Sequence, residues 1–269
     1  MTMTTEAATR RLTGAPCWVS LLTHRLAATQ EFYGALFGWE FRPGPQHLGP
    51  YRHAVLDGRE VAGLGEPAAD RRLPVSWTTY LATEDVDATA ERIRYCGGTV
   101  GVGPLDTGGA GRMALACDPQ GAVFGIWQGR AATATAAAGE PGTPVWNELI
   151  TRETHSAGPF YEHVFGYESQ AVVSADFDYL TLRLKGHPVA GLHGVGNALP
   201  REAGPRWMTY FAVSDTDAAV RRVEGLGGHV VRPPRDSPHG RLATVTDPGG
   251  AAFTVIRPAP EGIGADTYE

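Results

Sequence analysis

Hydrophobic and polar positions along this chain fall into short runs rather than long stripes. Val19 and Leu21 alternate with Trp18, Ser20 and Leu22, so both faces are substantially apolar, the pattern of a strand covered on both sides. Thr29 to Phe37 then takes helical spacing, with Phe32 and Leu36 one turn apart and Tyr33 and Phe37 beside them. Gly38 can close that helix in the left-handed conformation. Trp39 to Phe41 predicts a strand, and the Pro/Gly cluster from Pro43 to Pro50 a loop. Tyr51 to Leu56 and Glu60 to Leu64 predict a hairpin turning on Asp57-Gly58. Val75 to Thr83 reads as a strand. Asp85 is the expected N-cap of a helix whose buried stripe is Val86, Ala90 and Ile93, stopping at Gly97-Gly98. Two strands around D-P-x-G, Arg112 to Cys117 and Ala122 to Trp127, follow.

The whole pattern then recurs. P-C-W-V-S-L-L-T from Pro16 and F-Y-G-A-L-F-G-W-E from Phe32 return as P-V-W-N-E-L-I-T from Pro144 and F-Y-E-H-V-F-G-Y-E from Phe160, at one constant offset. Such a repeat must be recognised before anything else is read. The second hairpin turns on Lys185-Gly186, the second capped helix starts at Asp215, and Arg241 to Thr246 and Ala251 to Ile256 close the second copy. Each half reads β-α-β-β-β twice. The expectation is an α+β chain of four such modules in two tandem halves, 14–129 and 144–258. An Ala/Thr-rich linker over 130–143 joins them, and tails over 1–13 and 259–269 flank them.

Composition adds to this picture mainly by exclusion. Apolar residues make up 42% of the 269, enough for a real core, and 35 glycines with 20 prolines suit many short strands and tight turns. The 23 basic and 29 acidic residues give a net charge of −6, and neither Arg71-Arg72 nor Arg221-Arg222 extends into a basic stripe. Nucleic acid and anionic membranes are therefore not the expected partners. Cys17, Cys96 and Cys117 form no C-x-x-C pair and read as reduced thiols of a cytoplasmic protein. No secretory or membrane segment is read in the sequence.

The F-Y-x-x-x-F-G-[WY]-E helix ends, the D-V-D-A and D-T-D-A helix starts, and D-P-Q-G-A-V-F and D-P-G-G-A-A-F resemble the vicinal oxygen chelate superfamily of glyoxalases, extradiol dioxygenases and bleomycin-resistance proteins. The likeness covers nearly all of residues 14–258, and within the superfamily the chain is most similar to tandem actinobacterial glyoxalase-like proteins. It implies curved sheets around a cavity in each half, with helices outside. It also implies where a metal would be held: on the first strand of a half, on the strand opening its second module, and seven residues after the Asp of D-P-x-G. This sequence offers Trp18 and Ser20 or Trp146 and Glu148 at the first place. Trp77 to Tyr80 or Trp207 to Tyr210 stand at the second, and Gly125 or Thr254 at the third. Only Glu148 is a good oxygen ligand, and one carboxylate does not make a divalent site. No metal and no other cofactor is expected.

Strand alternation sorts what remains. With Trp146 and Glu148 facing the cavity, Leu180, Leu182 and Leu184 face the helices and Tyr179, Thr181 and Arg183 the cavity. Glu148 and Arg183 then form an expected ion pair, which the first half lacks because Ser20 and Val55 stand there. The candidate catalytic residues are Glu148, Arg183, Tyr179 and His53. The candidate ligand-binding residues are Trp18, Ser20, Tyr51, Trp77, Tyr80, Trp146, Trp207, Tyr210, Thr254 and His193. Trp18 and Trp146 fit core packing as well as a ligand platform. His24, His47, His155, His187 and His229 fall at loops, turns or exposed strand starts, whereas His193 and His239 flank the cavity mouths. Arg112 and Arg241, at equivalent positions, read as scaffold.

Three functions stay open. The first is a metal-independent enzyme acting by acid/base isomerisation, cyclisation or dehydration on a bulky, largely apolar or aromatic, oxygenated molecule such as a polyketide-like intermediate. The second is a drug- or metabolite-sequestering protein. The third is a metal-dependent glyoxalase or dioxygenase. A monomer or weak homodimer is expected.

Overall fold

The computed structural model describes residues 12–45, 49–67, 73–108, 110–129, 139–172, 178–200 and 204–260. Most of the expected tails and linker, together with His47 and Arg71-Arg72, lie outside the described residues. In the first half, β1 (Pro16–Leu22), α1 (Leu26–Phe37), β2 (Glu40–Pro43), β3 (Tyr51–Leu56) and β4 (Arg59–Gly65) form one module. A second comprises β5 (Ser76–Ala82), α2 (Val86–Tyr95), β6 (Thr99–Asp106), β7 (Gly111–Cys117) and β8 (Val123–Gly129). In the second half come β9 (Pro144–Thr151), α3 (Thr154–Phe165), β10 (Glu168–Ala171), β11 (Asp178–Leu184) and β12 (His187–Gly194). They are followed by β13 (Arg206–Ala212), α4 (Thr216–Gly225), β14 (His229–Ser237), β15 (Gly240–Thr246) and β16 (Ala252–Pro258). Each half builds one open eight-stranded sheet, β2-β3-β4-β1-β5-β8-β7-β6 and β10-β11-β12-β9-β13-β16-β15-β14. The fold is α+β, with one curved open sheet in each of two tandem halves.

Local chemistry explains the elements. Gly38 and Gly166 close α1 and α3 at φ of 76° and 73°, where a side chain is strained. Asp85 and Asp215 cap α2 and α4 by accepting from the backbone N–H of Ala88 and Ala218 at 2.9 and 3.0 Å. The paired positive φ values of Asp57-Gly58 and Lys185-Gly186 make both hairpin turns match the strand twist. α1 begins at Leu26 rather than Thr29. No side chain caps it at Arg25; instead the Thr23 hydroxyl accepts from the Arg25 N–H at 3.3 Å and meets the Thr29 hydroxyl at 2.9 Å.

The two sheets meet through the faces that carry the helices. Phe32, Tyr33 and Phe37 of α1 pack with Phe211 and Phe253 from β13 and β16. Phe160, Tyr161 and Phe165 of α3 pack with Phe124 of β8. Each module thus completes its core with a module of the other half. At the centre, Asn147 Oδ1 accepts from the hydroxyls of Thr79 at 2.8 Å and Thr209 at 3.1 Å. The opposite, helix-free face of each sheet is turned away from the other half.

Candidate functional site

Alternation along β9 turns Trp146, Glu148 and Ile150 to the helix-free face and Asn147 and Leu149 to the other half. The neighbouring strands bring partners by register: Met208 lies across from Glu148, Tyr210 across from Trp146, and Gly191 beside Glu148. His193 pairs with Tyr179, their rings 5.8 Å apart. The result is a polar cluster around one buried carboxylate. Glu148, only 5% exposed, accepts from the Tyr210 hydroxyl at 2.5 Å, lies 3.6 Å from His193 Nδ1, and accepts from the Tyr179 hydroxyl. Thr254, next to Tyr210 across the parallel pair, sets its hydroxyl 3.4 Å from that of Thr244. Ile150, Met208 and Leu199 form an apolar patch beside it.

Burial is the largest influence on Glu148 and pushes its carboxyl up. The donors together outweigh it: His193, then Tyr210 and Tyr179, hold the group below the ordinary carboxylate value. Burial and then the Glu148 charge push Tyr210 well up, so it stays a hydrogen-bond donor. Arg235 opposes that rise weakly. Burial pushes His239 below the ordinary imidazole value, and the Glu148 charge opposes that shift only in part.

The first half has the same frame and a different content. Tyr80 lies over Gly125 so closely that a Cβ there would stand 2.1 Å from Tyr80 Cδ1. Tyr51 lies over Gly63, and its hydroxyl receives the Trp18 indole N–H at 3.1 Å and meets Ser20 Oγ at 3.2 Å. Aromatic rings thus occupy this inner face. His53 packs against Trp18 and Tyr51 and sets Nδ1 3.1 Å from Glu60. In the second half Glu148 replaces Ser20, His193 replaces Gly65 and Thr254 replaces Gly125. Thr254 denies Tyr210 the seat that Tyr80 takes, so the Tyr210 hydroxyl reaches Glu148 instead.

Trp146 differs from its counterpart in one respect. It is 7% exposed, and its indole N–H is buried without a hydrogen-bond partner among the described residues. Such an orphan donor costs about 1–3 kcal/mol and calls for an explanation.

The structure brings together Glu148, Tyr179, His193, Tyr210, Trp146 and Thr254 on the helix-free face of the second sheet, and Trp18, Ser20, Tyr51, His53 and Tyr80 on that of the first. Three expectations need correction. Arg183 does not pair with Glu148: a bulge after Leu182 carries it to the strand end, where it donates to the Gly186 carbonyl and to Gln170 at 2.9 Å. Trp77 and Trp207 face the cores and not the helix-free faces, because β5 and β13 alternate from Tyr80 and Tyr210. Their indoles donate to Tyr33 at 3.0 Å and Tyr161 at 3.1 Å inside the cores. Arg112 and Arg241 are tied to Asp87 with Asp106 and Asp217 with Asp236, the scaffold role expected. Thr244 and Arg235 were not foreseen, and Met208 was met only as one of the residues standing at the second ligand place. Thr244 was legible from alternation on its strand, whereas Arg235 lies on an irregular edge strand that hides its facing.

A metal does not fit the donors present. The three positions become Glu148, Met208 and Thr254, and the carboxylate already accepts from two tyrosines. Among the described residues no group of three or more His, Cys, Asp and Glu could hold a metal ion.

Paired curved eight-stranded sheets, each built from two β-α-β-β-β modules, define a protein of the vicinal oxygen chelate class. The chain belongs to its glyoxalase-like family. The family model described as a glyoxalase-like domain matches residues 148–256. The chain is 38% identical over 257 residues to the putative glyoxylase CFP32 of Mycobacterium tuberculosis, covering 92% of this chain and 96% of that one. It is 36% identical over 265 residues to the anthracycline biosynthesis protein DnrV of Streptomyces peucetius, covering 92% and 94%. Among solved structures it superposes on a Mn(II)-bound glyoxalase from Novosphingobium aromaticivorans with a TM-score of 0.62 at 18% identity, over 93% and 89% of the two chains. That last likeness concerns the fold. No described helix is long and apolar enough to cross a membrane.

Proposed function

We propose that the second half is a metal-independent acid–base site acting on a bulky, oxygenated small molecule of secondary metabolism by isomerisation, cyclisation or dehydration. The carrying observation is the buried, ionised Glu148 with Tyr210, Tyr179 and His193 gathered on it. The likeness to a protein of anthracycline biosynthesis supports the metabolic setting.

The chemistry follows from the balance on Glu148. A ligand carbonyl that takes the Tyr210 hydroxyl removes a donor from the carboxylate, and burial then makes Glu148 more basic. Glu148 removes a proton from the carbon next to that carbonyl, and the C–H electron pair moves into the enolate. The tyrosine hydroxyl stabilises the enolate oxygen by hydrogen bonding. Return of the proton to another carbon completes an isomerisation. Loss of a neighbouring hydroxyl as water, with the proton from Glu148, completes a dehydration. Neither path needs an oxidant or reductant.

The test is turnover of candidate metabolites by the full chain. Glu148→Gln should lower it about 100-fold or more, while Ser20→Ala, its counterpart in the first half, leaves it near wild type. Full turnover in Glu148→Gln overturns the reading. Tight stoichiometric binding without product favours sequestration instead.

A further inference from the structure

The two halves hold the same tryptophan at the same place and treat its N–H differently. Trp18 and Trp146 both lie on the helix-free face of a first strand, across from Tyr80 and Tyr210. Each half also keeps a tyrosine over a glycine: Tyr51 over Gly63 and Tyr179 over Gly191, with the hydroxyl 1.7 and 2.0 Å from where a Cβ would stand. In the first half that hydroxyl receives the indole N–H at 3.1 Å. In the second it serves Glu148, and the Trp146 N–H is left buried with no partner among the described residues. The exchange of Ser20 for Glu148 is what separates the two arrangements.

An indole N–H donates and cannot accept, so only an acceptor satisfies it. Glu148 stands two residues along on the same face, and its charge disfavours an anion there. We propose that the Trp146 N–H, resting on the reading of the second half as the site, is the recognition donor for an uncharged carbonyl oxygen of the ligand, a ketone or quinone. Its role is to bind and orient that oxygen beside Glu148; the ring alone would serve any flat apolar molecule. A site built this way discriminates against an analogue that lacks the acceptor, because the buried donor is then left unpaired.

A matched pair of probes tests this: fluorenone, and fluorene, which lacks the carbonyl oxygen. Fluorenecarboxylate is the anionic control. Binding is read by calorimetry and by the indole N–H signals of 15N-labelled full chain, with Trp146→Phe assigning the relevant signal. Fluorenone should bind about tenfold more tightly than fluorene and move the Trp146 signal, and fluorenecarboxylate should bind worst. Trp146→Phe should bind both neutral probes alike, while Trp18→Phe keeps the discrimination. Glu148→Ser should return the Tyr179 hydroxyl to Trp146, shifting its signal without ligand and erasing the preference. A Trp146 signal that fluorenone leaves unmoved, an unchanged preference in Trp146→Phe, or no binding of fluorenone overturns the inference. Full turnover in Glu148→Gln with the preference for fluorenone intact would remove the acid–base reading and leave this one standing.

Discussion

Tyr161 in the second half donates its hydroxyl to Asp118 Oδ2 in the first at 3.0 Å. Tyr33 makes the corresponding bond to Asp247 at 3.2 Å. The other carboxylate oxygen of each aspartate accepts two backbone N–H groups of its own turn, all at 2.9 Å: Gln120 and Ala122 for Asp118, Gly249 and Ala251 for Asp247. The Trp207 and Trp77 indoles donate into the same tyrosine oxygens. The F-Y helix motif of one half therefore holds the D-P-x-G turn of the other.

Tyr161→Phe should destabilise the chain by about 1–3 kcal/mol, since it leaves both the Asp118 carboxylate and the Trp207 N–H short of a buried partner. Tyr33→Phe should cost a similar amount. Urea unfolding should show a lower midpoint at an unchanged slope. Tyr95→Phe, at an exposed position, is the control. A loss no larger than the control's would mean that these cross-half bonds add nothing.

Gly125→Thr should destabilise the first half by about 1–3 kcal/mol, because the new Cβ meets the Tyr80 ring at 2.1 Å and the ring must leave its seat. The reverse exchange, Thr254→Gly, opens that seat to Tyr210. Its hydroxyl then withdraws from Glu148, and turnover should fall about tenfold, the scale of one hydrogen bond. Turnover unchanged in Thr254→Gly, measured beside an intact circular-dichroism spectrum, would show that Thr254 does not set the tyrosine.

Much of this was legible because it rests on short-range rules. The hairpins follow from Asp57-Gly58 and Lys185-Gly186, the caps from Asp85 and Asp215, and the facing of Glu148, Tyr179 and Thr181 from alternation. The start of α1 was hidden because Arg25 carries no capping side chain. The Glu148–Arg183 pair failed because a bulge after Leu182 moves Arg183 to the strand end, and bulges leave no mark in the pattern. Trp77 and Trp207 were misplaced although each stands three residues from Tyr80 or Tyr210 on its strand, which puts it on the opposite face, where its indole donates to a tyrosine of its own half. The orphan state of the Trp146 N–H depends on where one tyrosine hydroxyl points, which neither spacing nor composition carries.

Chelation should leave turnover unchanged on the proposed mechanism. Glu148, Met208 and Thr254 offer one carboxylate, a thioether and a hydroxyl where a divalent cation needs several hard or imidazole donors. Elemental analysis of purified protein and an assay after prolonged chelator treatment check this. About one tightly held metal per chain, with activity lost on its removal and restored on its return, would overturn it.

The pH dependence of Glu148 separates the influences that act on it. Its folded value lies below the ordinary 4.5, so it binds fewer protons in the folded than in the unfolded chain as pH nears that range. Its contribution to stability is fully present above about 4.5 and is lost as pH falls through the lower folded value. The difference in unfolding free energy between wild type and Glu148→Gln should therefore be flat from neutrality down to about 4.5 and shrink below it. The acid limb of kcat/KM assigned to Glu148 should likewise fall below 4.5 in the free enzyme. His193→Gln removes the strongest of the lowering donors and leaves burial less opposed, so that limb should move up towards neutrality. A wild-type limb near neutrality that disappears in Glu148→Gln would mean that burial wins over the donors. A limb that His193→Gln leaves unmoved would remove His193 from the balance.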